Sequence, residues 1–273
     1  MQKIETQSNL NITNPNAGLI AIDNITTNKY LVIYTDNCEL TIQKNSEEFI
    51  FQQKSFIFVE RGVTFSCKIK KENPEIHPYR AIRLDKEELV MLKNIFKSTQ
   101  GYQFDEYIIK EKPHNKMIRV EGTQEYVRIF NHAELSKDKT LKILKLAYMI
   151  SHMGITNNIL ISLMASAAIT FTDKVRCVIE KDTSKKWRLS MIADEFNISE
   201  ISVRKRLESE GTSFNNLLIE IRMNKAMQLL LNNELQIHQI SRDVGIFSPS
   251  YFIKTFKNYF GITPKQFIIY FRN

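Results

Sequence analysis

The chain is poor in the residues that break or staple a fold. Eight Gly and six Pro in 273 residues leave little material for long flexible linkers. Three cysteines, Cys38, Cys67 and Cys177, are an odd number without paired spacing. That argues against a disulfide framework or a zinc site, and reduced cytosolic thiols are the simple reading. The histidines His77, His114, His132, His152 and His238 are scattered without ligand spacing, so neither a metal nor any other cofactor is expected. No apolar run reaches the roughly 20 residues of a membrane span. The most apolar stretch, ILISLMASAAITF at 159–171, is expected to be a buried helix. The opening MQKIETQSNLNITNPN is polar, lacks the apolar core of a signal peptide and is expected to be disordered.

What is present is ordinary core material with a positive balance. Hydrophobic residues make up 43% and charged residues 25%, as in a globular protein with a real core. Lys and Arg total 38 against 30 acids, a net +8. Residues 172–273 hold 16 basic and 11 acidic residues, so the excess is densest in the last third. An anionic partner is favoured there, though not proved by charge alone.

Periodicity divides the chain. From Gly18 to Leu84, short segments such as KYLVIYTDNCELTIQ, EEFIFQQ, KSFIFVERGVTFSCKIK and YRAIRL alternate or cluster β-branched and aromatic residues. Polar turns near Asn45-Ser46, Arg61-Gly62 and Asn73-Pro74 separate them, which predicts a small barrel or jelly roll. After Leu84 the period becomes helical. DKEELVMLKNIFKS (85–98) has Asp85 as N-cap and Leu89, Leu92 and Phe96 on one face. Residues 99–135 carry no clear period. SKDKTLKILKLAYMISHMG (136–154) is amphipathic and ends at Gly154.

The last third holds an internal repeat. In SPSYFIKTFKNYFGITPKQF (248–267), Ser248 caps a helix whose back is Phe252, Phe256 and Tyr259 or Phe260. Gly261 and Pro264 end it. IHQISRDVGI precedes it, with Ile237, Ile240 and Val244 apolar and Gly245 at the turn. Together these make a helix-turn-helix. RLSMIADEFNISEISVRKRLESEG (188–211) repeats the arrangement, with Ile192, Ala193 and Phe196 in its first helix, Asn197 at the turn, and Ser199 capping a helix with Val203 and Leu207 inside. Ser199 and Ser248 stand 49 positions apart, and Lys205 matches Lys254. SFNNLLIEIRMNKAMQLLL (213–231) joins the units as a helix of roughly 27 Å. Such a strut suits two recognition helices entering successive major grooves roughly 34 Å apart.

Trp187, the double unit, LLIEIRMNKAMQLLL and YFIKTFKNYFGITPKQF resemble the DNA-binding domain of AraC/XylS transcription regulators. SEISVRKRLESEG, with TDNC, FVERGV and AIRL in the first half, is most similar to the enteric virulence regulators of the Rns, AggR and RegA group. The resemblance implies an α+β chain. Residues 1–171 would form a cupin-like β-barrel with helices, for regulation and dimerisation, and 172–273 the DNA-binding domain. It implies a bacterial cytoplasmic activator of adhesin or colonisation genes, acting with RNA polymerase on A/T-rich promoter DNA. Groove-facing residues carried over by position are Ile201, Ser202, Arg204 and Lys205, then Pro249, Ser250, Ile253 and Lys254. Arg204 or Lys205 can donate to guanine, and Ile201 and Ile253 can meet thymine methyls. Lys257, Arg242 and Arg188 suit phosphate. Three positions depart from the family pattern: Arg206 replaces an apolar residue, Ser241 an alanine and Ile246 a phenylalanine.

In the first half, Arg83 in YRAIRL needs an anionic partner if buried. The resemblance implies a small anionic effector there, with Asn28 and Lys29 on a neighbouring strand. Asn28 replaces a histidine of the relatives, which weakens the fatty-acid reading and leaves a smaller anion, such as bicarbonate, or no ligand at all. An ion pair with Glu60, or exposure to solvent, is the plainer reading of Arg83. The helix at 139–153 is a dimer contact in the family; read alone, it is equally a buried domain helix. A cupin-type enzyme with an accessory DNA-binding domain is the alternative function. It is disfavoured because 18–84 contains only His77, too little for a cupin metal cluster.

Overall fold

The computed structural model describes residues 13–44, 47–99, 116–232 and 236–272. The expected Asn45-Ser46 turn lies outside this set, as do residues 1–12 of the 1–16 stretch expected to be disordered; residues 13–16 do not bear out that expectation, because Asn14 bridges to Leu19 and caps a helical turn. Pro15–Ala17 forms a short 3-10 helix, capped by Asn14 and closed by Gly18 at φ 71°. The chain divides into two compact units between Ala168 and Ile169.

The first unit begins with strands β1 (Leu19–Thr26), β2 (Tyr30–Tyr34), β3 (Cys38–Lys44), β4 (Glu47–Phe51), β5 (Ser55–Val59), β6 (Thr64–Lys71) and β7 (Arg80–Leu84). A later strand, β8 (Met117–Glu121), joins them. They do not close into the expected barrel. They form two open four-stranded sheets, in the orders β1-β6-β3-β4 and β7-β2-β5-β8, with every pairing antiparallel. β5 is the pivot of this arrangement. All five of its residues are buried, as expected of a strand covered on both faces. Phe56 and Phe58 enter the helical core; Ile57 and Val59, also fully buried, occupy the opposite face.

Helices α1 (Lys86–Thr99), α2 (Gln124–Glu134), α3 (Lys139–His152) and α4 (Thr156–Ala167) supply that core. α1 starts as expected: the Glu88 N–H donates to Asp85 Oδ1 and the Asp85 N–H to Glu88 Oε2. Leu89, Leu92 and Phe96 are buried on its inner face, packed with Tyr30, Phe130, Leu146 and Leu163. Of the stretch 99–135 that showed no period, residues 100–115 lie outside the described residues, and β8 and α2 occupy its second half. α4 stops at Ala167 instead of continuing to Phe171. Thr170 starts a new helix, α5 (Phe171–Glu180), through a complete capping box with Asp173.

α5 opens the second, all-helical unit. α6 (Leu189–Glu195), α7 (Glu200–Ser209), α8 (Phe214–Asn232), α9 (Ile237–Asp243), α10 (Pro249–Phe260) and α11 (Pro264–Arg272) complete it. α8 is one uninterrupted helix of 19 residues, about 28 Å long. It buries Leu217, Ile221, Met223, Ala226 and Leu230. No described helix is long and apolar enough to cross a membrane.

Candidate nucleic-acid interface

Two helix pairs, α6–α7 and α9–α10, are built by the same local chemistry. Each turn needs one left-handed residue: Asn197 at φ 52° and Gly245 at φ 71°. Asn tolerates that conformation; at 245 only glycine fits. A Cβ there would lie 2.8 Å from the Thr183 and Ser184 carbonyl oxygens and 2.6 Å from Arg222 Nη2. The residue after each turn closes it, Ile198 N–H to Ala193 O at 3.0 Å and Ile246 N–H to Ser241 O at 2.8 Å. The second helices are then capped alike. Ser199 Oγ accepts from the Ser202 N–H at 3.2 Å, and Ser248 Oγ from the Tyr251 N–H at 3.3 Å.

Burial fixes which face is free. Val203 and Leu207 anchor α7; Phe252, Phe256 and Phe260 anchor α10. Ile201, Arg204 and Lys205 are exposed, and Ser202 is half-buried beside its cap. Pro249, Ser250, Ile253, Lys254 and Lys257 are all exposed, as are Arg188 and Arg242. Every residue expected to face a groove is thus at least half-exposed or on the solvent-facing side of its helix, with Arg204 and Lys205 turned outward on α7 and Lys254 and Lys257 on α10.

The three departures from the family pattern resolve structurally. The Arg206 guanidinium sits over the Phe171 ring, 5.2 Å from its centroid. It covers α5 with its own stem and head, a cation–π role that the linear sequence does not reveal. Ser241 is fully buried but satisfied, its hydroxyl donating to the His238 carbonyl at 2.9 Å. Ile246 is buried as well. Trp187 donates from its indole to the Asp182 carbonyl at 2.7 Å and carries Lys185 over its face.

The expected effector residues look different. Ile82 and Leu84 enter the core, whereas Arg83, which alternates with them, is exposed. The desolvation argument for a buried arginine therefore falls, and so does its pairing with Glu60 as a buried ion pair. Arg83 lies opposite Leu31 in the β2–β7 register. Asn28 and Lys29 form the bend entering β2, at the same end of that pair. Burial pushes the Tyr79 phenol up to about 12, and Arg83 opposes that rise. Burial also holds His77 below its usual value, with Lys71 and Arg83 acting in the same direction. Burial raises Asp85, but the Glu88 N–H, Lys139 and Lys29 outweigh it and hold its carboxyl below the usual range.

α3 is buried through Ile143, Leu146, Ala147, Met149 and Ile150. Its opposite side exposes Leu141, Leu144 and Tyr148, each by about half. With Arg128, Ile129, His132 and Lys145 they line a groove of about 470 Å³ between α2 and α3.

A family model described as a helix-turn-helix domain matches residues 192–268, from the middle of α6 through the strut and α10 into α11. The transcriptional activator CsvR of Escherichia coli is 42% identical over 93% of this chain and 96% of its own. The dual transcriptional regulator Rns of Escherichia coli is 40% identical over 93% and 95%. VirF of Shigella flexneri, a virulence regulon activator, is 35% identical over 88% and 92%. Among solved structures, ToxT from Vibrio cholerae superposes with a TM-score of 0.68 over 93% of each chain at 16% identity. It has also been solved with an unsaturated fatty acid bound. That likeness carries the fold alone. The relatives span nearly the whole of this sequence, and the chain belongs to their family, the AraC-type helix-turn-helix transcription regulators.

Proposed function

We propose that the protein is a sequence-specific activator of virulence genes, such as those for adhesins or other colonisation factors, reading A/T-rich promoter DNA in the bacterial cytoplasm. The carrying observation is the pair of equivalently capped helices that present Arg204 and Lys205, and Lys254 and Lys257, outward. The helical unit from Ile169 acts as the DNA-binding domain and the unit that ends at Ala168 as the regulatory domain, a boundary three residues earlier than the 171/172 division expected from the sequence. The names of the relatives support a regulator over a cupin-type enzyme. The test is binding of the full chain to a duplex selected from a randomised pool, over a range of salt. Log affinity should fall linearly with log salt, by about 0.9 per phosphate neutralised. Binding that ignores both salt and sequence would overturn the reading.

RNA polymerase is the partner an activator requires. A second copy of the chain is proposed to pair through the Leu141, Leu144 and Tyr148 face of α3, an apolar stripe of three large side chains, each about half exposed. Leu144→Asp should shift a sedimentation profile from dimer to monomer. A wild type that sediments as monomer at all concentrations removes the dimer. The effector is proposed as a small anion, bicarbonate or a fatty acid, held by Arg83 with Asn28 and Lys29.

A further inference from the structure

The two helix pairs are alike but not identical, and the difference falls at the mouth of α10. In the first pair Ile198 closes the turn and the cap Ser199 follows it directly. In the second, Ile246 closes the turn, and Phe247 stands between it and the cap Ser248. Phe247 is an inserted residue. It has no place in the core, because Ile246 already fills the buried position, and it is 72% exposed.

Four residues on stands Tyr251, 60% exposed. Through the equivalent caps it occupies the place that Ser202 holds in the first pair. At about 100° per residue, Tyr251 lies about 60° round the helix from Lys254, whereas Ile253 lies about 100° away on the other side. Ile253 is correspondingly the less exposed, at 40%. Tyr251 is therefore closer to the middle of the outward face than a residue already assigned to it.

We infer that Phe247 and Tyr251 form an apolar lip on the second recognition helix that reads thymine 5-methyl groups in the major groove, with Tyr251 the specificity-determining residue. The inference rests on α10 being a DNA-reading helix. Two large rings standing in water beside a helix with no Asp or Glu between Pro249 and Phe260 call for a partner that is anionic and also offers apolar contacts. Double-stranded DNA does both: phosphates for Lys254 and Lys257, methyl groups of thymine for the rings. The face is continuous with those lysines, and a helix N-terminus favours nearby phosphate.

The test replaces thymine by deoxyuridine, one position at a time, in a duplex selected from a randomised pool by the full wild-type chain. This deletes a single methyl and leaves base pairing unchanged. Wild type should lose about fourfold in affinity at one or two thymines of one half-site. Tyr251→Ala and Phe247→Ala, checked for native helix content, should bind the thymine and deoxyuridine duplexes alike at those positions. Tyr251→Phe should keep the penalty. Lys254→Ala should weaken all duplexes and keep the methyl penalty. A wild type indifferent to every methyl, or a penalty that survives in both alanine variants, overturns the lip. Variants that lose transcription activation with unchanged DNA affinity would assign the rings to a protein partner and also overturn it. If Lys254→Ala binds like wild type, the underlying placement of α10 on DNA fails instead.

Discussion

Lys205 and Lys254 illustrate what one side chain contributes when the backbone beneath it is fixed by others. Each is exposed, while Val203 or Phe252, two residues earlier, is fully buried, so truncating either lysine should spare the fold. Lys205→Ala and Lys254→Ala should each weaken promoter binding across sequences and lower the salt slope by about one. Arg204→Ala should in addition relax preference at one base pair, worth about 1–3 kcal/mol of discrimination. A mobility-shift titration in which both lysine variants match wild type would remove these helices from the groove. The outward placement of these residues was legible because the caps and the core positions of the two second helices recur 49 positions apart. Arg206 was not: its partner Phe171 lies 35 positions earlier, beyond any local pattern. Phe247 and Tyr251 escaped for a different reason. Aromatics in an amphipathic helix read as core, and only burial separates Phe252 and Phe256 from their exposed neighbours.

Among elements, α8 was the easiest to foresee and is the most consequential for DNA. Its 19 residues run without a break from Phe214 to Asn232 because Leu217, Ile221, Met223 and Ala226 all turn into the core. Ala226→Pro would delete the hydrogen bond to residue 222, clash with its carbonyl and cost about 3 kcal/mol or more. The two helix pairs should then lose their fixed separation, and a footprint should show one half-site protected without the other. Equal protection of both would mean that the units bind independently of the strut. The end of α4 was misjudged from sequence: the apolar run 159–171 hides a break. The signal was present in Thr170 and Asp173, three apart, which form the capping box of α5. β8 was unreadable for a physical reason. Its partner is β5, some 60 residues earlier, and strand formation there depends on that pairing more than on local pattern. Thr123, whose hydroxyl accepts from the Tyr126 N–H, marks the start of α2.

At the scale of the whole molecule, the sequence pattern distinguished a strand-rich first unit from a helical second one, but not two open sheets from a closed barrel. Alternation tells which side of a strand is wet, not whether the last strand meets the first. The same limit governs Arg83, whose apolar neighbours Ile82 and Leu84 made it look buried; alternation in fact turns it outward. An exposed guanidinium is still a fit anchor for a carboxylate or carbonate, through paired N–H donors, and it stays hydrated when the site is empty. Binding there can alter DNA affinity only if the anion has different affinities for the protein's DNA-competent and DNA-incompetent states. The coupling is then reciprocal: DNA must tighten or loosen the anion by the same factor. Arg83→Ala should abolish the response of promoter binding to bicarbonate or to a fatty acid, with affinity in the absence of either anion unchanged. Titrating both anions against wild type and Arg83→Ala in one binding assay separates the cases. A response in wild type alone, to one anion, identifies the effector class and places Arg83 in its site. Equal responses in the two proteins would return Arg83 to an ordinary solvent-facing residue at the edge of the β7-β2-β5-β8 sheet.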